Sequence, residues 1–325
     1  MHKFIVTLIL ILTSLFSGYI FQKLMNSGKV KIGLDLSAFS KLLQKTALLV
    51  INPVVFLGAV WIVDIDNIRY IALPFLGVSA LFLGGFLAFL FSKILHLEKT
   101  QTGVYIISGG FTNIGAMGGL VTFLFLGEIG FALVPIYKIL EEFSYYAVGF
   151  PLAKSFSRDF KQGGPLLERL KLIVTDKFVI VAVTSIAVGF ILNGTGVPRP
   201  QFYAPLNEVL IPVLSVVLIF SIGLVIQFSS VKTYLKPSVL IAVIKSMIVP
   251  AAIATVAYVI GLGEIADGLP LKVVIILAAM PVGFISLVPP ALYNLDTHLA
   301  NSNWIVSNLV TLGCIPALYF VVTAV

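Results

Sequence analysis

Apolar residues run in long blocks along this chain, and polar residues gather in short stretches between them. A helix needs about 20 predominantly apolar residues to cross a bilayer. Blocks of that length fall near 4–24, 42–63, 69–91, 101–126, 129–152, 177–193, 206–228, 237–261, 271–293 and 300–324. The pattern predicts an all-α integral membrane protein of ten transmembrane helices. The first block follows His2 and Lys3, as the core of a secretory signal would, but "LTSLFSGYIFQKL" offers no small-x-small cleavage site. The block is also long enough to span, so it counts as the first helix.

The longest polar connection, 153–176, contains "KSFSRDFKQGGPLLERLKLIVTDK" and divides the blocks five and five. Residues 1–152 then form a first five-helix repeat, 153–176 a cytoplasmic linker and 177–325 a second repeat. An odd number of spans per half makes the second half enter the membrane inverted. Weak internal similarity agrees: "LLVINPVVFLGAV" in the second block carries Pro53 at its middle, and "NEVLIPVLSVVLI" in the seventh carries Pro212. The fourth and ninth blocks, "IISGGFTNIGAMGGLV" and "IILAAMPVGFISLVPP", each open on paired isoleucines and then fill with helix breakers. These include Gly118 and Gly119 in the fourth and Pro281, Pro289 and Pro290 in the ninth.

A proline within a helix removes a backbone hydrogen bond and clashes with the carbonyl four residues earlier, at a cost of about 3 kcal/mol, and lipid supplies no substitute partner. Two readings are open for such spans. Glycine and proline are frequent in membrane helices and serve close packing. Corresponding interrupted spans in two inverted halves instead mark a transporter's binding site, where freed N–H and C=O groups face a cavity. The match between the two halves favours the second.

Composition and charge narrow the class further. Of the 325 residues 59% are hydrophobic and only 11% charged, against about 25% charged in soluble domains. The net charge of +7 does not point to nucleic acid, because its distribution orients the chain in a membrane. With the N-terminus outside, the cytoplasmic loops hold Lys23, Lys29, Lys31, Lys93, Lys99, Lys154, Arg158, Lys232 and other basic residues, and the opposite side holds Lys3, Arg69, Arg199 and Lys272. The positive-inside rule therefore sets both termini on the non-cytoplasmic side of an inner (plasma) membrane, and the basic excess meets anionic lipid headgroups of the bilayer. Cys314 is the one cysteine, so neither an internal disulfide nor a cysteine metal or redox site can form.

The ninth and tenth blocks, "MPVGFISLVPPALYNLDTHLANSNWIVSNLVTLGCIPALYFVV", resemble the auxin efflux carrier family, which includes the plant auxin exporters and many bacterial organic-anion permeases. The likeness rests on Pro281, Gly283, Tyr293–Asn294, Pro316 and Tyr319. In the fourth block, where the family tends to read Asn-Thr-Gly-x-x-Gly-x-Pro, this chain reads "NIGAMGGL". It matches at Asn113, Gly115 and Gly118 and departs at Ile114 and at Leu120, where the family often has proline; the kink there is then expected at Gly118 and Gly119. The resemblance implies two inverted five-helix repeats with helices 4 and 9 broken and crossed. The first, second, sixth and seventh helices would be a scaffold and the rest a moving transport domain. It also implies a small organic anion as substrate.

Four ionisable side chains lie well within blocks: Lys138, Glu141 and Glu142 in "PIYKILEEFSYY", and Lys245 in "IAVIKSMIVP". A charge at the centre of a membrane helix costs about 2.5–3.5 kcal/mol even on insertion scales, so such groups face a partner or a cavity. Lys138 can pair with either glutamate at i,i+3 or i,i+4. Adjacent glutamates point about 100° apart, which leaves one carboxylate for Lys245 or for a proton. A structural pair and a coupling device are both open; Lys245 can also stand beside the broken helices where related folds hold sodium. Thr112 and Asn113, among glycines, are assigned to the substrate path with Gly115, Pro281, Gly283 and Ser286. Asn52, beside Pro53, suits either a substrate path or an interhelical hydrogen bond.

The expected function is a secondary transporter of a small organic anion, working by alternating access around the fourth and ninth helices. No cofactor or metal site is expected beyond a coupling proton or sodium ion, and a homodimer is left open. The absence of a Walker motif argues against a pump. A membrane ligand sensor that retains the fold without transport is the alternative. An intramembrane enzyme ranks last, since His2, His96 and His298 lie outside the block centres and the glutamates have no evident nucleophile or metal partner.

Overall fold

The computed structural model describes residues 2–64, 67–158, 175–228 and 231–325. Residues 159–174 of the expected linker lie outside the described residues. Among the described residues the chain is all helical, with one isolated antiparallel bridge between Thr112 and Val282. In order come α1 (His2–Asn26), α2 (Leu36–Val60), α3 (Ile68–Ile94), α4 (Lys99–Gly110), α5 (Ile114–Ala132), α6 (Val134–Lys138) and α7 (141–155). Then follow α8 (Lys177–Gly194), α9 (Tyr203–Gly223), α10 (Leu235–Val259), α11 (Leu269–Ala278), α12 (284–292) and α13 (Thr297–Ala324). Eight helices among the described residues are long and apolar enough to cross a membrane: α1, α2, α3, α5, α8, α9, α10 and α13. The chain is thus a multi-pass membrane protein. The other two apolar blocks, 129–152 and 271–293, are divided into shorter helices.

Three of the long helical runs accommodate a proline in the same way. A single wide π turn occupies Ala47–Ile51, Tyr145–Gly149 and Ile244–Ile248, and Pro53, Pro151 and Pro250 each follow two residues later. The carbonyl four residues before each proline, on Leu49, Ala147 or Ser246, falls inside the widened turn, which relieves the clash without ending the helix. A fourth wide turn, Ile114–Gly118, opens α5 and has Leu120 at the corresponding place.

One compact unit comprises Met1–Ile65, Gly115–Pro135 and Lys177–Ile226. Within it α1 meets α9 at Gly18 and Gly223, where a Cβ on either would lie 3.0 Å from the other's Cα. Backbones approach this closely in membranes only over small residues. The same unit holds a largely enclosed ion pair. Gly127 leaves the helix at φ 75° and turns Glu128 back toward Arg199. Both guanidinium Nη atoms donate to the Glu128 carboxylate, Nη1 also donates to the Gly58 carbonyl at 2.8 Å, and Asn207 donates to Glu128 at 2.6 Å. Removing one partner from a pair this enclosed leaves an uncompensated charge, at a cost of about 3–5 kcal/mol. Arg199→Ala is accordingly expected to lower the apparent Tm of the detergent-solubilised protein. An unchanged Tm would show that the pair contributes nothing to this unit's stability.

The other compact unit comprises Asp66–Ile114, Ile136–Asp176 and Gln227–Val325. Here α3 lies along α4 over Gly84 and Gly109, and a polar cluster joins α4, α10 and α13. Asn303, fully buried, donates to Ser108 at 3.0 Å and accepts from Ser238 at 2.8 Å. At one end Asp296 caps α13 through the Leu299 N–H and also accepts from Tyr234 and Gln101, at 2.8 and 3.1 Å. These hydrogen bonds hold three helices in fixed register around the interruptions described next.

Candidate functional site

Two interruptions face each other in the second of these units. Helix α4 stops at Gly110 and helical structure resumes at Ile114; α11 stops at Ala278 and resumes at Phe284. The extended residues between them pair antiparallel. Asn113 N–H donates to the Pro281 carbonyl at 2.9 Å, and Gly283 N–H donates to the Phe111 carbonyl at 3.0 Å. Backbone groups that each helix leaves unsatisfied at its end are thereby satisfied by the other.

The interruption is placed differently from the sequence expectation. Gly118 has helical backbone (φ −61°, ψ −45°) and Gly119 begins the α-helical part of α5, so neither breaks the run; the break is at 111–113. Pro289 and Pro290 likewise lie inside α12, in its first α-helical turn, where a proline gives up no hydrogen bond. The break in that block is at 279–283, next to Pro281. Gly283 was assigned to the substrate path, yet a Cβ there would lie 2.7 Å from the Thr112 carbonyl oxygen and 2.9 Å from its carbon. The paired strand of backbone already fills that space.

Side chains close the remaining valences of both extended segments. Thr112 N–H donates to the Tyr145 hydroxyl at 3.0 Å, and that hydroxyl donates to Glu141. Lys138 Nζ lies 3.7 Å from the other Glu141 oxygen, at i,i+3. From α10, Lys245 donates to the Thr112 hydroxyl. Across the pairing, Val282 N–H donates to Ser307 at 3.2 Å, and Asn308 donates to the Val282 carbonyl at 3.3 Å. Lys245 is 1% exposed and Glu141 4%, so both charges are enclosed. Glu141 takes Lys138, while Glu142 is half-buried and has no ion pair within 4 Å among the described residues. Lys245 reaches Thr112, not a carboxylate.

The structure therefore brings together Thr112, Asn113, Pro281, Gly283, Lys138, Glu141 and Lys245 in one unit, while Asn52, Gly115, Gly118 and Gly119 belong to the other. Asn113 is buried, and its side-chain amide hydrogen-bonds to no described residue. Ser286, in the first turn after the ninth-block break, is 1% exposed with its hydroxyl unpartnered among the described residues. Both are polar side chains without a partner among the described residues, beside a backbone break. Tyr145, Ser307 and Asn308 were not singled out by sequence reasoning. The polar run "NSNWIVSN" in an otherwise apolar block was the available signal for the last two.

A multi-pass helical membrane protein with two interrupted helices paired through their backbones next to buried charges has the makings of a translocating membrane protein. The family model described as membrane transport protein matches residues 57–319. The chain belongs to this family, the auxin efflux carrier family. The family is one of transporters, not of enzymes. A comparison with individually curated proteins returns no match.

Proposed function

We propose that this chain is a secondary active transporter of a small organic anion, with ten spans in two inverted five-helix repeats and crossed, broken fourth and ninth helices. The observation that carries the proposal is the pairing of 111–113 with 281–283 beside the buried Lys245. Interrupted helices present N–H groups and positive dipole ends to an anion. The ammonium at Thr112 adds a fixed positive charge that compensates the carbonyl ends. Asn113 and Ser286 are the polar side chains that would orient the ligand.

The division into compact units supports an elevator-type assignment, since α1, α2, α8 and α9 fall in one unit, together with α5 from Gly115 on, and both interruptions in the other. In the proposed cycle the unit bearing the interruptions carries the ligand and the other is the scaffold. The lysine and arginine distribution supports both termini on the non-cytoplasmic face of an inner membrane. Glu141, linked to Thr112 through Tyr145, is the group proposed to couple transport to a proton; sodium at the interruption is the other coupling ion considered.

Counterflow in proteoliposomes tests the proposal. Vesicles loaded with one member of a panel of small mono- and dicarboxylates should accumulate labelled substrate in exchange. Saturable binding without exchange under any gradient would replace transport by ligand sensing. Asn113→Ala should weaken binding about tenfold, the equivalent of one lost hydrogen bond to a charged ligand, and leave the Tm of the ligand-free protein unchanged. Thermal-shift titration measures both, because a ligand of the native state raises apparent stability with the logarithm of its saturation. Unchanged affinity would move the site away from the fourth-block break.

A further inference from the structure

A groove of about 480 Å³ lies wholly within the unit that bears the interruptions, between α3, α4 and α7. Its walls are apolar, with Phe82, Phe86 and Phe89 along α3, Val148 and Leu152 along α7 and Phe156 just past its end. Its volume matches ligand pockets, about 300–1,000 Å³, yet it offers a polar ligand almost nothing. The two hydroxyl groups in its lining belong to Ser144, which donates to the Leu140 carbonyl at 2.9 Å, and Tyr145, engaged with Thr112 and Glu141. The rim is open: Phe82, Phe86, Val148 and Leu152 are all exposed, Phe86 at 58%. Such an opening on a membrane-spanning unit meets hydrocarbon.

One end of the groove is basic. Lys93 continues the α3 stripe one turn beyond Phe89, its ammonium 5.2 Å above that ring. Lys99 donates to the Ser157 carbonyl at 3.1 Å, next to Phe156, and Arg158 stands beside them in a loose, exposed pair with Glu98 at 3.9 Å. Among the described residues Lys93, Lys99 and Arg158 thus stand where the apolar stripe ends, with Glu98 as the carboxylate paired there. Each basic side chain near an anionic membrane surface adds attraction.

We infer that this groove binds one acyl chain of an anionic phospholipid, with the headgroup held by Lys93, Lys99 and Arg158. The chain's inner end then lies against Phe111 and Tyr145, whose rings are tilted 36° with 4.0 Å between centroids. Phe111 supplies a backbone carbonyl to the pairing, and Tyr145 ties Thr112 to Glu141. The lipid braces the back of the interruption, and its presence sets how firmly that segment is held.

The test uses Leu152→Trp, a rim position that is 39% exposed and admits a larger ring without intruding on packing. Quenching of its fluorescence, relative to the parent protein with Trp61 and Trp304 alone, is measured in phosphatidylcholine vesicles containing brominated lipid. Brominated phosphatidylglycerol should reach half-quenching at a mole fraction at least about threefold lower than brominated phosphatidylcholine, and replacing both Lys93 and Lys99 by glutamine should abolish that preference. Equal quenching by the two headgroups in the protein with intact lysines would overturn the assignment. Displacement of the brominated lipid by a transported carboxylate would overturn it too, giving the groove to substrate. So would efficient disulfide formation between copies of Leu152→Cys, which would make this face a dimer contact.

Discussion

Gly283→Ala is expected to abolish substrate binding and to lower the Tm, although it adds a single methyl group. That methyl would sit 2.7 Å from the Thr112 oxygen, closer than a Cβ comes to another atom in folded proteins, and a tight 3.3 Å from the Asn113 nitrogen. These neighbours are backbone atoms, so no rotamer change relieves the contact. The segments must separate, and both hydrogen bonds of the pairing, Asn113 to Pro281 and Gly283 to Phe111, lengthen together. Overpacking of this kind costs about 1–3 kcal/mol, and each buried backbone group left unpaired costs about as much again. Ligand-induced thermal stabilisation should disappear while the protein still inserts and purifies as a folded species. Wild-type affinity in Gly283→Ala would mean that the pairing does not form the binding site.

Lys245→Met should have the second large effect. It keeps the length of the side chain and removes both the charge and the donor to Thr112. A hydrogen bond to a charged group contributes about 1.5–3 kcal/mol, so anion binding should weaken by roughly 10–100-fold. The partner variant, Glu141→Gln, separates the two roles considered for the carboxylate. If Glu141 carries the coupled proton, Glu141→Gln should flatten the pH dependence of uptake in proteoliposomes while Lys245→Met lowers uptake at every pH. If Glu141→Gln retains the wild-type profile, the carboxylate is a structural partner of Lys138 and Tyr145. A strict requirement for sodium in the wild type would place the coupling cation at the interruption, with Lys245 as a neighbouring counter-charge.

The apolar blocks alone establish a helical, multi-pass membrane protein, because a bilayer accepts only segments that satisfy their own backbone and because block length follows from bilayer thickness. The family is legible as well, since Asn113, Pro281, Gly283 and the last-span motif keep their spacing in the linear chain. The breakers in the fourth and ninth blocks mark the right segments, but of those named Pro281 alone lies within a break. A proline or glycine raises the cost of a helix locally, yet where the helix yields depends on which backbone groups find another partner. At 111–113 and 279–283 that partner is the opposite segment, 170 positions away from Thr112 to Val282, and Gly118, Gly119, Pro289 and Pro290 remain helical because nothing compensates a break there. Tyr145, Ser307 and Asn308 follow the same logic: each is an ordinary polar residue in an apolar block until folding places it against an orphaned N–H or C=O. Helical spacing allowed Lys138 to meet either glutamate, and the fold decided for Glu141. That Lys245 would meet Thr112 was decided by tertiary packing, which alone brings α10 to the break.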